Sequence, residues 1–298
     1  MTLSAVVFQH LKTPLAVVVI DHDDDCRFDV ANKAFARLVG CSEDVLEGLP
    51  PERLFTEWDR SALQSSNRHE TTLLRHSDGD HPPRLLLTCE ALADTKGDAF
   101  LLTAEDISAN SWIDRLCETQ KVLIAGILNE RYAIERMFKY YPTPVFDNYR
   151  FPVGEPLDAY LDDDERERLI SVLELTSRQA RTHQIAVRTK ALNDGVQLDL
   201  NMMYRPFCHT DGSLKHIAFI VSDIRSAADS ESNAADSSVT LKVLMARSYM
   251  SAQQLSAATG ISMQTISKLR NGKINKPQRQ TALLIAQALK VAPQDIWP

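Results

Sequence analysis

With 298 residues, the chain is long enough for two or three domains that each bury a core of their own. Its 44% hydrophobic and 24% charged residues exclude wholesale disorder or a fibrous repeat, and the lack of a roughly 20-residue apolar run or a basic-then-apolar leader predicts a cytoplasmic protein. The net charge of −7 is unevenly divided, because the last sixty residues hold eight basic residues against the single acid Asp295, so that they carry +7 and the rest −14.

The first 108 residues predict one sheet-containing unit. A Val/Ile-rich run over 14–21 and the segment 26–30 predict a hairpin. Helical patterns follow over 32–39 and 43–49, before a short turn over 51–55. Three strands then close the unit, separated by Asp/Gly-rich turn clusters, at 70–76, 84–92 and 99–107.

This order of elements resembles the PAS sensor family. The residues that carry the resemblance are the strand Val17–Asp21, the segment Ala31–Phe35, Gly40-Cys41-Ser42 and the ending Glu105-Asp106-Ile107. The resemblance implies a small-molecule or other signal sensor, and an apolar pocket would suit a small organic ligand. Residues of these types at such spacing more often form a core than a ligand pocket. The inward-facing candidates for the pocket are Phe28, Phe35, Leu38, Trp58, Thr88 and Leu102.

Residues 109–140 predict a linker helix with an apolar heptad pattern, interrupted at Gln120 and Glu130. Helices that leave PAS units commonly form dimer coiled coils, so the pattern favours a homodimer. The alternative is a helix that packs on its own PAS core. The proposed dimerisation residues are Ile113, Leu116, Leu123, Ile127 and Ile134, with Met137 in the same pattern.

Residues 141–225 predict a second, abbreviated PAS-like domain. Its helix covers 162–180, its three strands cover 184–190, 196–206 and 215–223, and only 143–146 offers a first strand. The ending Val221-Ser222-Asp223-Ile224 repeats the ending of the first unit. The Ala/Ser/Asp/Asn-rich segment 226–238 then predicts a flexible tether.

The last segment, 239–298, predicts an all-α domain of four helices. After the first helix, Ser251 caps a second over 252–259, which Gly260 ends with the left-handed backbone of a tight turn. Ser262 caps the third helix, whose outer face is polar and free of acids. A fourth helix follows over 277–290, with its proline in the first turn.

This tail resembles the Cro/phage-repressor class of helix-turn-helix domains, the XRE family. Gln254-Leu255, Gly260-Ile261-Ser262, Thr265-Ile266-Ser267 and Asn271-Gly272 fall at that family's spacing, whereas Ser256 stands where the family usually has alanine. The resemblance implies that the third helix enters the major groove of double-stranded DNA. The candidate DNA-binding residues, with Met263, Gln264 and Ser267 as base readers, are Gln253, Ser262, Met263, Gln264, Thr265, Ser267, Lys268, Arg270 and Lys273. The alternative is a helical domain that contacts protein, with its basic charge as a solvated face.

Other chemistry is not expected. The five cysteines, Cys26, Cys41, Cys89, Cys117 and Cys208, lack CxxC spacing and predict thiols rather than a zinc site, with a redox-sensing thiol as the alternative. The Asn-Cys-Arg-Phe string of flavin-binding PAS proteins is absent, and the acidic runs 21–25 and 162–167 lack an EF-hand pattern. The candidate haem ligands, which we interpret as turn or surface histidines, are His69, His76, His81 and His183.

The fold prediction is therefore an α+β multidomain chain: two PAS-like antiparallel sheet domains joined by a helix, plus an all-α helix-turn-helix domain. We expect a homodimeric, sequence-specific transcription regulator in which the PAS units sense a signal and tune DNA binding. We expect no enzyme, because no segment remains for a catalytic domain. The alternative is a ligand-free PAS scaffold for dimerisation or partner docking with a DNA-binding tail.

Overall fold

The computed structural model describes residues 3–20, 25–58, 68–74, 82–92, 98–139, 153–191, 197–226 and 237–297. The contacts divide the chain into two units. The first comprises residues up to Trp112 together with two short segments, Arg178–Arg181 and Pro206–Lys215, and the second comprises the remainder. Each unit contains a five-stranded antiparallel sheet, and the second also contains the C-terminal helices. The predicted α+β class is confirmed.

The first sheet has the strand order β2-β1-β5-β4-β3. Its helices are α1 (Leu3–His10), α2 (Lys33–Val39) and α3 (Glu43–Leu46), followed by a 3₁₀ turn at Pro51–Arg53. The alternation of buried and exposed residues along β1 and β4 places one face of the sheet on the core. The strands, which match the sequence prediction closely, are β1 (Leu15–Ile20), β2 (Cys26–Ala31), β3 (Arg68–Thr72), β4 (Arg84–Ala91) and β5 (Ala99–Asp106).

One buried amide, that of Asn32, ties the start of α2 to the first strand. Its Oδ1 accepts hydrogen bonds from the backbone N–H groups of Phe35, at 2.9 Å, and Leu15, at 3.1 Å. Its Nδ2 donates to the carbonyl of Thr13 at 2.8 Å. Asn32 is fully buried, so these bonds replace the water that the amide loses on folding. The amide therefore fixes the direction in which α2 leaves the hairpin.

The predicted linker helix over 109–140 is wrong beyond its first third. The structure has a helix only at Ser108–Thr119 (α4), followed by strands Ile124–Asn129 (β6) and Ile134–Lys139 (β7). The two exceptions in the heptad pattern lie at the breaks, since Gln120 follows the helix and Glu130 lies in the turn between the strands. A short apolar run is compatible with either a heptad-patterned helix or a buried strand, and 122–128 is such a run. The pattern alone therefore could not distinguish the two.

The residues proposed for dimerisation consequently do not share one helical face. Ile113 and Leu116 lie on α4, whereas the other three lie on or beside the strands. Four of the five are buried within the chain itself, namely Ile113, Leu123, Ile127 and Ile134. The prediction of a continuous coiled-coil seam is therefore wrong. The four buried side chains contribute to cores within the chain, and only Leu116 is half-buried.

The second sheet begins at Ile124 rather than at 141. Its strand order, β7-β6-β10-β9-β8, repeats that of the first sheet, so it is complete rather than abbreviated. Its helix is α5 (Asp163–Thr176) and its later strands are β8 (His183–Arg188), β9 (Leu198–Cys208) and β10 (Leu214–Ser226). The proposed first strand at 143–146 lies outside the described residues.

A glycine sets the packing between β6 and β10. Gly126 pairs in register with Phe219, and a Cβ on Gly126 would lie 2.6 Å from the Phe219 ring. The ring, which is 2% exposed, therefore occupies the space that any other residue at position 126 would need. This pairing across more than ninety residues is what turns the apolar run into a strand.

The C-terminal helices follow the prediction. They are α6 (Ser237–Arg247), α7 (Ala252–Thr259), α8 (Met263–Arg270) and α9 (Arg279–Leu289). Their core is formed by Leu241, Met245, Leu255, Ile266, Leu269, Ile285, Ala286, Leu289 and Ile296. Most of the predicted tether, 227–236, lies outside the described residues, while Ser226 ends β10 and Ser237 begins α6. No helix in the described ranges is long and apolar enough to cross a membrane.

The tip of the β9–β10 hairpin belongs to the first unit, where two hydrogen bonds and a close approach to Gly40 hold it. Lys215 Nζ donates to Asp106 Oδ2 at 2.6 Å, and the Thr210 hydroxyl donates to the Arg37 carbonyl at 2.9 Å. A Cβ at Gly40, whose φ of +70° caps α2, would lie 2.9 Å from Thr210 Cγ2. Burial raises the pKa of Asp106, but the charge of Lys215 and hydrogen bonds from Lys215 and Ser108 outweigh it and lower that pKa overall.

We predict that Lys215→Met lowers the free energy of unfolding by about 1–3 kcal/mol at neutral pH, because it leaves a mostly buried carboxylate without its cation. The pKa of Asp106 is lowered by folding, so the bridge contributes fully above the unfolded pKa of ~3.9 and is lost as the pH falls through the folded pKa. Urea denaturation at several pH values checks this. The control, exposed Lys12→Met, should change stability by less than about 0.5 kcal/mol. A Lys215→Met difference that persists undiminished in acid would contradict the ion-pair account.

Candidate nucleic-acid interface

Hydrogen-bonded caps define the turn between α7 and α8. Ser251 and Gln254 form a capping box at the start of α7, with bonds of 3.1 and 2.8 Å between each side chain and the other residue's N–H. Gly260 ends α7 with φ +70°, and the Ser262 side chain accepts from the N–H of Thr265 at 3.2 Å to begin α8. These local bonds explain why the sequence alone located both helices to within one or two residues.

The outer face of α8 presents the predicted base-reading side chains. Ile266 and Leu269 are buried in the core, which turns Met263, Gln264 and Ser267 outward. Met263 is 43% exposed, a large apolar side chain left in solvent on an otherwise polar surface. Gln253, near the start of α7, is exposed as well. Helices α7 and α8 thus expose the amide, hydroxyl and apolar groups that can contact base edges.

The remaining predicted contacts differ in their accessibility. Lys268 and Lys273 are exposed, as phosphate contacts require, whereas Arg270 is half-buried at the end of α8. Ser262 and Thr265 share a hydrogen bond of 2.9 Å between their hydroxyls, and Ser262 also serves as the cap. These two hydroxyls therefore already have hydrogen-bond partners within the protein, where they stabilise the start of α8. Two further exposed basic residues, Lys276 between α8 and α9 and Arg279 at the start of α9, are not among the predicted contacts, although their charge would suit phosphates.

Ser256 has a structural role that the family spacing did not predict. Its hydroxyl donates to the carbonyl of Ile261 at 2.6 Å and so bridges α7 to the turn that follows it. An alanine would fit the same space but would leave that carbonyl without this donor. The departure from the usual alanine is therefore compatible with the helix-turn-helix and adds a bond to it.

The residues proposed for a ligand pocket divide into two groups. Phe28, Phe35 and Leu102 are fully buried core members, and Leu38 and Trp58 pack against them half-buried. The rings of Phe55 and Trp58 stack at 5.8 Å between centroids. The inward placement predicted for Thr88 is wrong. Strand β4 buries Leu85, Leu87 and Cys89, and the alternation of side chains therefore places Thr88 on the opposite face. The run of three leucines at 85–87 concealed which face was inward.

The five cysteines are thiols rather than disulfides, and two of the described histidines contact neighbouring groups. None of the five cysteines, all of which are described, forms a disulfide, and burial raises the pKa of the Cys89 thiol to about 11, which disfavours its reactive thiolate. Among the described residues no cluster of three metal-ligating side chains occurs. His69 Nε2 lies 2.9 Å from the Glu57 carbonyl and the His183 ring stacks on Tyr204, while His76 and His81 lie outside the described residues.

A charged cleft of about 580 Å³ lies in the second unit, on β8, β9, β10 and α5. Its arginines are paired with its acids: Arg188 with Asp199 at 2.8 Å, Arg225 with Asp223 at 3.1 Å, and Arg168 with Glu165. The cleft therefore differs in both place and polarity from the apolar pocket predicted for the first sheet.

Comparison with known families supports the DNA-binding assignment of the tail. Residues 240–297 match the profile of the Cro/C1-type HTH DNA-binding domain. This segment is a Cro/C1-type helix-turn-helix domain. It spans both helices of the helix-turn-helix and the residues around them, and so includes all the residues that the sequence proposed for DNA contact. No curated protein sequence matches the chain.

Solved structures of PAS domains are among those similar to this chain. One, from a two-component sensor histidine kinase, is 12% identical and covers 35% of this chain and 92% of its own, with a TM-score of 0.29. Another, from a Colwellia psychrerythraea protein, is 21% identical and covers 35% and 94%, with a TM-score of 0.29. The Rhodobacter sphaeroides LOV protein is 18% identical and covers 39% and 79%, with a TM-score of 0.29. The expected order of two antiparallel-sheet units followed by a helix-turn-helix domain is confirmed by the two five-stranded sheets and by the match of residues 240–297.

We predict that Ser256→Ala lowers the stability of the helix-turn-helix domain by about 0.5–1.5 kcal/mol, because it removes the hydrogen bond to the Ile261 carbonyl. Urea denaturation followed through helical circular dichroism measures the loss. Ala257→Ser, which adds a hydroxyl at the exposed neighbouring position, is the matched control and should cost no more than the ~0.5 kcal/mol by which serine is a poorer helix former than alanine. Equal stability of wild type and Ser256→Ala would show that this bond is energetically silent.

Proposed function

We propose that the protein is a sequence-specific transcription regulator that reads DNA with α8. The observation that carries the proposal is the exposed, acid-free face of α8 within a Cro/C1-type domain. From residue 239 to the end, Asp295 is the only acid, and it follows α9 rather than lying on the proposed DNA face. Phosphate groups on DNA are therefore approached by a surface of a single sign of charge.

The roles we assign follow from side-chain chemistry. The Gln264 amide can donate and accept together, which suits the N6 and N7 atoms of adenine, and Met263 supplies an apolar contact for a thymine methyl group. Ser267 lies one turn further along α8 and reaches the same groove. Lys268 and Lys273 are point charges on flexible stems and suit phosphates, which give affinity without sequence information.

We further propose that the chain acts as a homodimer whose PAS-like sheets sense a signal. Cro-type domains generally bind paired half-sites, which supports two copies.

In the first unit, the buried indole Nε1 of Trp58 has no hydrogen-bond partner among the described residues, and a bound small molecule with an acceptor group would supply one. Mass spectrometry of material released from the purified protein tests this. An empty protein that responds to no metabolite would favour the ligand-free scaffold. A non-enzymatic role is part of the same proposal.

Gln264→Ala and Lys268→Ala separate base reading from phosphate binding. We expect Gln264→Ala to lose about 1–3 kcal/mol of discrimination at one base-pair position while it keeps its affinity for unrelated DNA. Lys268→Ala should weaken binding to every sequence and reduce the slope of log K against log salt by about 1. Fluorescence anisotropy with a duplex selected from a randomised library, at several salt concentrations, measures both.

The control is Lys290→Ala, which removes an exposed positive charge just beyond α9 and should leave the salt slope unchanged. If Gln264→Ala and Lys268→Ala both bind every duplex as wild type does, α8 is not the recognition helix.

A further inference from the structure

One helix, α6, is buried on two opposite sides. Leu241 and Met245, one turn apart, belong to the core of the helix-turn-helix domain. Val239 and Val243, also one turn apart but rotated about half a turn from the first pair, belong to a different core. The helix also buries its polar residues Ser238, Thr240 and Lys242, so it is covered on most sides although it is not apolar all round.

The second core is built on the second sheet. Val239 and Val243 pack with buried side chains of β6, β9 and β10, among them Ile124, Leu198 and Val221. Ile224, near the end of β10, completes the cluster and is fully buried. The same helix therefore supplies side chains to the DNA-binding domain on one side and to the second sheet on the other.

Polar contacts reinforce the junction just after the helix. Arg247 Nε lies 3.4 Å from Asp223 Oδ1 on β10, and the Tyr249 hydroxyl donates to the Ser222 carbonyl at 3.4 Å. The ammonium group of Lys121 lies 4.4 Å from the centre of the Tyr249 ring. Tyr249 has a φ of +54°, a left-handed backbone that costs a tyrosine free energy and persists only where its surroundings hold it.

We propose that α6 is a rigid joint that links DNA binding energetically to the second PAS-like sheet. The recognition helix α8 is then held by the sheet rather than carried on a free tether, and DNA that binds α8 stabilises β10. By reciprocity, a signal that binds the second sheet and changes DNA affinity by some factor is itself bound more tightly or more weakly by that same factor when DNA is present. This inference rests on the proposed DNA binding and adds its route of regulation.

Hydrogen exchange on the full chain tests the joint. With the selected duplex at 100 times its Kd, an opening equilibrium linked to DNA binding shifts by about 100-fold. We expect the amides of 216–224 on β10 to exchange more slowly with DNA, by up to that factor, together with those of α8. In the double variant Val239→Ala/Val243→Ala, the slowing should persist in α8 and vanish in β10. Leu175→Ala, which truncates a leucine 77% exposed on α5, is the control and should behave as wild type.

A milder pair of substitutions keeps the test decisive if the double alanine variant does not fold. Arg247→Gln with Tyr249→Phe removes the ion pair and the hydroxyl contact but leaves the apolar core, and should reduce the slowing in β10 only partly. Slowing in α8 but not in β10 of the wild type would overturn the joint, as would slowing in β10 that every variant retains. Absence of slowing in α8 itself would instead count against DNA binding by this helix.

Discussion

Two apolar stripes on opposite sides of the eleven-residue helix α6 hold the DNA-binding domain in the molecule. A helix this short is not stable in water on its own, so α6 depends on the packing of both stripes. The cap sequence Ser251–Gln254 begins α7 only four residues beyond its end. The position of the recognition helix therefore depends on how α6 packs.

Core packing and the proposed DNA binding use different surfaces of the same helices in the tail. Inward residues of α7, α8 and α9 meet the stripe of Leu241 and Met245, whereas the outward residues carry amides, hydroxyls and positive charges. The acidic charge of the rest of the chain orients the protein as it approaches DNA. A body with a net charge of −14 is repelled by the phosphates, and only the +7 segment is attracted. The protein is thus expected to approach DNA with its tail first.

The sequence allowed accurate prediction wherever the structural signal was local. Serine caps, the left-handed glycine and the polar face of α8 lie within about twenty residues of each other, and the strands of the first sheet are separated by clear turn clusters. Prediction failed where a distant partner decided the structure. Most of the run 122–128 forms β6 because it pairs with β7 on one side and with the distant β10 on the other, and no pattern within the run shows that. The second stripe of α6 also depends on distant partners, because Val239 and Val243 pack with side chains of the second sheet.

The first unit shows the same division. Its core residues Phe28 and Phe35 were identified from their pattern, but the sequence could not tell a filled core from a pocket. The hairpin tip that brings Lys215 to Asp106 is also a long-range event, 109 residues apart in the chain. Such contacts depend on how the two ends of a sheet-containing unit close, which no local propensity encodes.

Backbone NMR of the full chain titrated with the selected duplex tests the central claim most directly. The account predicts that the largest amide shift changes fall at 262–268, at the start of α8, and near Gln253 on α7, with smaller changes on β10. Changes concentrated on α9 or on the first sheet, with α8 unaffected, would contradict it.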